Sequence, residues 1–185
     1  MSNDGRLYER FIDRDGDGFD DQVEMVAIDL GRNTQDVRAD LAPNGAPTKA
    51  ITAFEAANGT IRTEEFDVDG DGLADFQQTT SHETDAAGNT VTTYTERGRE
   101  NDTYERITVA SADGLTRSST ADVNGDGSVD TTTTETTSLN ADGSRETEIE
   151  ALYADGSLRF WSHTESSPDE RTIISRADLD GNGAM

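Results

Sequence analysis

Cysteine is absent from this 185-residue chain, which removes disulfide frameworks, thiolate metal sites and cysteine nucleophiles together. Lysine is almost absent: Lys49 is the only one, and Asp plus Glu outnumber Lys plus Arg 39 to 15, leaving a formal charge of −24. With no basic patch to meet phosphate, nucleic acid and anionic membrane are excluded as expected partners, and a cation becomes the natural one. Apolar residues make up 31% of the chain, with six Phe, four Tyr and one Trp, and the mean hydropathy is −0.76. No apolar run approaches the roughly 18 residues of a membrane span, so no membrane insertion is expected. The start, MSNDGRLYERF, has neither the basic stretch nor the apolar stretch of a signal peptide. A core drawn from so few apolar side chains is thin, and something besides their burial must help hold the chain together.

What the chain has instead is repetition, which is sought before any strand or helix because it decides the fold. The pattern Asp-x-Asp/Asn-x-Asp/Asn-Gly starts at Asp13 (DRDGDGFDD), Asp67 (DVDGDGLAD), Asp122 (DVNGDGSVD) and Asp178 (DLDGNGAM). The four starts are almost evenly spaced, which gives a repeat of roughly 55 residues, near the length of known repeat units. A turn marker stands at one fixed offset before each start: Gly5, Gly59 and Gly114, with Glu170 at the fourth position beside Pro168. The chain therefore divides into 1–12, the end of a preceding repeat; 13–66, 67–121 and 122–177, three repeats; and 178–185, the truncated start of a fourth. An end inside the fourth loop reads as a segment of a longer protein.

Within each repeat, further turns recur at Gly31 (LGRN), Gly45, Gly88, Gly98 (RGREND), Gly143 and Gly156, separated by short segments of strand length. Short Asn/Asp-Gly turns at that spacing are the strongest local hairpin signal. Eight of the 17 glycines fall in the four acidic loops and the other nine at turns, and the three prolines also lie in or beside turns. The intervening segments are rich in threonine and alternate apolar with polar residues, as in Val37/Ala39/Leu41, Ile107/Val109 and Leu158/Phe160. Such alternation predicts half-buried strands, with one face modestly apolar. The expected fold is all-β: each repeat a four-stranded antiparallel meander plus a loop, the repeats stacked as an elongated array.

The loops carry the chemistry. Carboxylates at positions 1, 3 and 5 of a tight turn, a Gly at position 6, a backbone carbonyl at 7 and a carboxylate at 9 supply hard oxygen ligands in the number and flexibility that Ca²⁺ takes; Mg²⁺ demands a stricter octahedron, and zinc prefers Cys and His. The candidate metal ligands are Asp13, Asp15, Asp17, Phe19 and Asp21; Asp67, Asp69, Asp71, Leu73 and Asp75; Asp122, Asn124, Asp126, Ser128 and Asp130; and Asp178, Asp180 and Asn182, where the chain ends just short of position 9. Phe19, Leu73 and Ser128 would act through their carbonyls. About three Ca²⁺ ions are expected, the fourth site being incomplete. Glu24 stands where a helix-flanked loop has its twelfth-position glutamate, but the residues after each loop read as strand. Without metal the carboxylates in each loop repel one another, so binding free energy becomes folding free energy. Acidic loops on soft connections suit calcium at around 10⁻⁴ to 10⁻³ M.

The phrases NADGSRET, YADGSLRF, SADGLT and ADLDGNG resemble the tandem-repeat regions of bacterial secreted calcium-binding proteins of the repeats-in-toxin and type I secretion kind. That resemblance implies export as an unfolded chain and folding outside the cell, secreted or at the cell surface, where calcium is plentiful. The parallel β-roll is not implied, because the nonapeptide GGxGxDxUx is missing and no Gly-Gly pair occurs. The loops are also similar to those of integrin-type FG-GAP propeller blades, which implies an alternative role as an adhesin-like module binding glycan or a surface protein, with calcium shaping the loops. No enzyme is expected. His82 and His163 sit at different distances from their loop starts and form no repeated constellation, and Trp161, Tyr94, Tyr104 and Tyr153 read as strand partners. The function these features point to is a calcium-stabilised structural repeat, partnered by calcium and by neighbouring repeats of its parent chain.

Overall fold

The structure, a computed structural model, describes residues 6–100 and 102–183; the turn marker at Gly5 and the terminal Met185 lie outside them. It is all-β, with thirteen strands and, among the described residues, no helix: β1 (Arg6–Ile12), β2 (Gln22–Ile28), β3 (Thr34–Leu41), β4 (Pro47–Glu55), β5 (Ile61–Asp67), β6 (Phe76–Thr84), β7 (Thr90–Gly98), β8 (Thr103–Ala110), β9 (Thr116–Asp122), β10 (Thr131–Leu139), β11 (Arg145–Tyr153), β12 (Leu158–Ser166) and β13 (Ile173–Asp178). They follow one another in sequence order through a single open sheet. Each of the first three acidic loops is itself a hairpin connection, β1 to β2, β5 to β6 and β9 to β10, and four strands separate one loop from the next. The chain forms two compact units, one of Met1–His82 and Tyr94–Thr103, the other of Glu83–Thr93 and Tyr104–Met185.

In the first unit the register runs unbroken from Phe11 through Val23 and Ala39 to Ala50 on one face, and from Arg10 through Glu24, Arg38 and Ile51 to Phe66 and Phe76 on the other. The second face mixes charge with apolar area. Glu24 lies between Arg10 and Arg38 at 3.9 and 3.4 Å, while the Phe66 and Phe76 rings stack at 4.4 Å across the mouth of the second loop. Glu24 is thus held by arginines on the sheet face rather than at the first loop. In the second unit one row joins Thr108, Ser119, Thr133, Ala151 and Phe160, and the next but one joins Thr137, Thr147, Thr164 and Ser175.

The apolar core is small. Its buried members among the described residues are Ala39, Ala53, Ala121 and Ala151, and no large side chain there is completely enclosed. Accessible surface totals 12338 Å², against roughly 8,700 Å² for an ordinary compact protein of this mass, and among the described residues no helix covers the strands. Threonine fits this setting: its branched Cβ suits the pleat, and its hydroxyl is satisfied across the strand. Thr63 meets Thr79 at 3.3 Å, Thr108 meets Ser119 at 2.8 Å, Thr137 meets Thr147 at 3.2 Å and Thr164 meets Ser175 at 3.1 Å. The expected burial of Ile107 is reversed by this pairing. Thr108 is 7% exposed and Ile107 37%, since the covered face of β8 is the one that carries the hydroxyl row.

Turns fall where glycine and Asx residues predict, with three differences. In LGRN the left-handed position is Arg32 (φ 67°), not Gly31, because Asn33 closes the turn onto both oxygens of Asp29. Gly98 ends β7 without a positive φ, and the turn lies beyond it. At the fourth marker the reversal comes from Glu170 itself (φ 56°), not from Pro168. That turn copies the one at Gly114. The N–H groups of Gly114 and Glu170 donate to the carbonyls of Ser111 and Ser167, and each serine hydroxyl donates to the Asp two positions on. Glu170 therefore occupies a glycine position at a steric cost of about 1–2 kcal/mol. Glu170→Gly should raise unfolding stability by about 0.5–1 kcal/mol after the added chain entropy of glycine is subtracted, read as a higher urea midpoint.

The turn aspartates set an acid limit. Asp29 and Asp85 are held below their usual pKa of 3.8 first by Asn33 and Asn89 side-chain donors, and Asp113, Asp142, Asp155 and Asp169 first by serine hydroxyls. Their folded values lie below the unfolded one, so their stabilisation is complete above about pH 5 and disappears as pH falls through 3.8 and below. Urea midpoints measured in chelator should be flat from about pH 7 to 5 and drop between about pH 4 and 2.

Candidate metal centres

Each of the first three acidic loops begins where a strand ends and finishes where the next begins, so hairpin register holds its two ends together. The N–H of position 9 donates to a carbonyl at the end of the preceding strand: Asp21 to Ile12 at 2.8 Å, Asp75 to Phe66 at 2.7 Å and Asp130 to Ala121 at 2.8 Å. Inside that closure the three complete loops share one set of side-chain bonds. The position 1 carboxylate accepts two N–H groups, those of Gly16 and Gly18 on Asp13 (2.7 and 2.9 Å), Gly70 and Gly72 on Asp67 (2.6 and 2.9 Å) and Gly125 and Gly127 on Asp122 (2.7 and 2.8 Å). Those glycines have φ between 74° and 90°, the left-handed region that turns their N–H groups inward. Position 3 accepts from the N–H of position 5, position 5 from that of position 7, and the position 9 carboxylate from that of position 2.

A carboxylate has about four acceptor sites, so one or two N–H bonds orient it and leave lone pairs for a cation. Oxygens sharing one Ca²⁺ at about 2.3–2.6 Å lie at most about 5 Å apart. Among the described residues, Asp13, Asp15 and Asp21 of the first loop, and Asp67, Asp69 and Asp71 of the second, bring carboxylate oxygens within 4.8 Å of one another. These two triads can hold a metal ion. Asp17 and Asp75 stand outside the gathered sets, and in the third loop Asn124 supplies an amide oxygen where the others have a carboxylate. Phe19 and Leu73 are 57% and 64% exposed, as suits residues that would contribute only a carbonyl; Ser128 is exposed too. Asp71 and Asp126 sit below their usual pKa, chiefly because the N–H groups of Leu73 and Ser128 donate to them, and they remain ionised at neutral pH.

The fourth loop keeps part of the same set, with the Gly183 N–H on Asp178 and the Asn182 N–H on Asp180 at 3.3 Å, and differs in two details. Asp178 is only 3% exposed and accepts from Gly183 at 2.7 Å and, weakly, from Asp180 at 3.3 Å; the Gly183 bond is the main reason its pKa is lowered. Asn182 donates its amide to Asp180 at 2.8 Å, which occupies one carboxylate oxygen of the shorter set.

Two loops rest on irregular strand pairs. The pairing of β3 with β4 shifts between Asp40 and Leu41, leaving Thr48 unmatched, and that of β11 with β12 shifts between Ala151 and Leu152, leaving Arg159 unmatched. Gly70 lies on the first bulge and Gly181 on the second. A Cβ on Gly70 would come within 2.6 Å of the Pro47 carbonyl, whereas one on Gly16 would meet nothing. This close approach is not legible in the glycine pattern, which marks a turn at both positions. Gly70→Ala should cost about 1–3 kcal/mol more than Gly16→Ala in chelator, since both place alanine in a left-handed conformation but only the first displaces backbone. Paired urea titrations measure the difference, and equal losses would refute it. Protein-family models, curated proteins and solved structures were compared with the chain, and none of them matches it.

Proposed function

We propose that this chain is a calcium-binding structural module of tandem repeats, each of roughly 55 residues, within a larger secreted bacterial protein of the repeats-in-toxin kind. The repeats would fold and stiffen on Ca²⁺ outside the cell. The observation that carries the reading is the shared hydrogen-bond set of the three complete loops, together with the gathering of carboxylates from positions 1, 3 and 9 in the first loop and 1, 3 and 5 in the second. A solvated acidic turn needs no such repetition of inward-facing N–H groups. The bound state is favoured by charge as well: 13 of the 39 acidic residues occupy ligand positions, and their mutual repulsion opposes the metal-free fold. Calcium suits the oxygen-only, flexible donor set better than magnesium or zinc. In this role the protein performs no catalysis, and its sheet acts as a spacer whose rigidity depends on the ion.

Calorimetric titration with Ca²⁺ should reveal about three sites, and Asp13→Asn, Asp67→Asn and Asp122→Asn should each remove one. At a free calcium concentration about 100 times the dissociation constant, each filled site should add about 2.7 kcal/mol to unfolding stability. Identical melting in calcium and in chelator would refute the proposal.

A further inference from the structure

The second loop already contains a cation of its own. Arg99, in the turn after β7, donates through Nη2 to Asp71 Oδ1 at 3.1 Å and to the Leu73 carbonyl at 3.1 Å, and lies 3.3 Å from Asp75 Oδ1. These are the acceptors at positions 5, 7 and 9 of the loop. Nη2 carries two N–H donors and part of the guanidinium charge, so it bonds two of these oxygens and faces the third as an ion pair, all of them oxygens that a metal ion would otherwise share. Its backbone is fixed as well, because the Arg99 N–H donates to the Asp75 carbonyl at 2.8 Å.

The first loop shows what the same site looks like without it. There the position 9 carbonyl, that of Asp21, accepts from Leu41 at 2.7 Å, so an apolar residue holds the backbone place that Arg99 holds in the second loop. The gathered carboxylates also differ, with Asp71 inside the second triad although Arg99 bonds it. In the first loop the triad includes position 9, Asp21; in the second, Asp75 is outside the triad, with one oxygen toward Arg99 and the other bonded to the Val68 N–H at 2.7 Å.

We propose that Arg99 is an internal counter-ion of the loop Asp67–Asp75, holding that loop in shape without metal and competing with Ca²⁺, so that this site fills at higher calcium than the loop Asp13–Asp21. The proposal rests on reading the loops as calcium sites and adds an order of filling among them. Arg99 is a positioning and affinity-setting residue and does not ligate the ion. Binding requires the guanidinium to swing out into solvent, which its half-exposed position in the turn permits. Displacing an exposed ion pair of this kind corresponds to about a two- to fivefold change in affinity.

The test is calcium calorimetry on four full-length proteins: the unaltered chain, Arg99→Gln, Asp67→Asn/Asp69→Asn, and the triple variant Arg99→Gln/Asp67→Asn/Asp69→Asn. Arg99→Gln should tighten one class of site about two- to fivefold, and that class should vanish when Asp67 and Asp69 are also changed. In chelator, Arg99→Gln should lower the urea midpoint, and much less so when Asp71 is already Asn, since the charge-assisted bond between the two side chains is then gone. Unchanged or weakened binding at the site that depends on Asp67 and Asp69 would overturn this inference alone. Absence of calcium binding in all four proteins would overturn the reading of the loops together with it.

Discussion

The backbone ladder between successive antiparallel strands is the interaction on which everything else here depends. With no large side chain fully enclosed among the described residues and only alanines in the buried apolar set, hydrophobic burial cannot by itself order a chain of this length. Cohesion comes from main-chain hydrogen bonds that follow sequence order, each strand paired to its neighbours in the chain. Such pairing requires only short loop closures, whose entropy cost is low. Side chains reinforce it locally, through hydroxyl pairs such as Thr108 with Ser119, the stacked rings of Phe66 and Phe76, and the arginines on either side of Glu24.

That construction explains where the charge sits. A sheet whose strands stay largely solvated tolerates acidic residues along them, and the most concentrated carboxylates are placed where the ladder changes direction. The loop is the weakest point of a hairpin by backbone count, and here backbone N–H groups converge on aspartate oxygens instead of on other backbone. Anionic side chains thus shape the turn while raising a local field that a cation relieves. The second loop relieves part of that field from within the chain, through Arg99.

Much of this is open to reading in the primary structure. The even spacing of Asp13, Asp67, Asp122 and Asp178, the Asx-Gly turns and the threonine-rich alternation point to strands and acidic loops because each is a local property, dictated by φ angles, branched Cβ atoms and a period of two. The role of Arg99 is not legible there, where it stands as one arginine in RGREND. The loop it neutralises lies well back in the chain, and only the return of β7 alongside β6 places it beside Asp75. Ile107 and Arg32 mislead for the same reason: which face of β8 is covered, and which residue of a turn takes the left-handed conformation, depends on what the neighbouring strand or side chain offers.

The amino-acid sequence alone determined that this chain is all-β, that glycine and Asx residues break it into short hairpins, and that much of its acidity is gathered into four loops of similar pattern. Tertiary structure alone decided which loops gather a triad of carboxylates, which rest on a bulged strand, and which is neutralised by an arginine. Local geometry is written into residue type through sterics and hydrogen-bonding capacity. The environment of a carboxylate is set by groups brought near through strand register, and register is a property of pairs of segments rather than of either one.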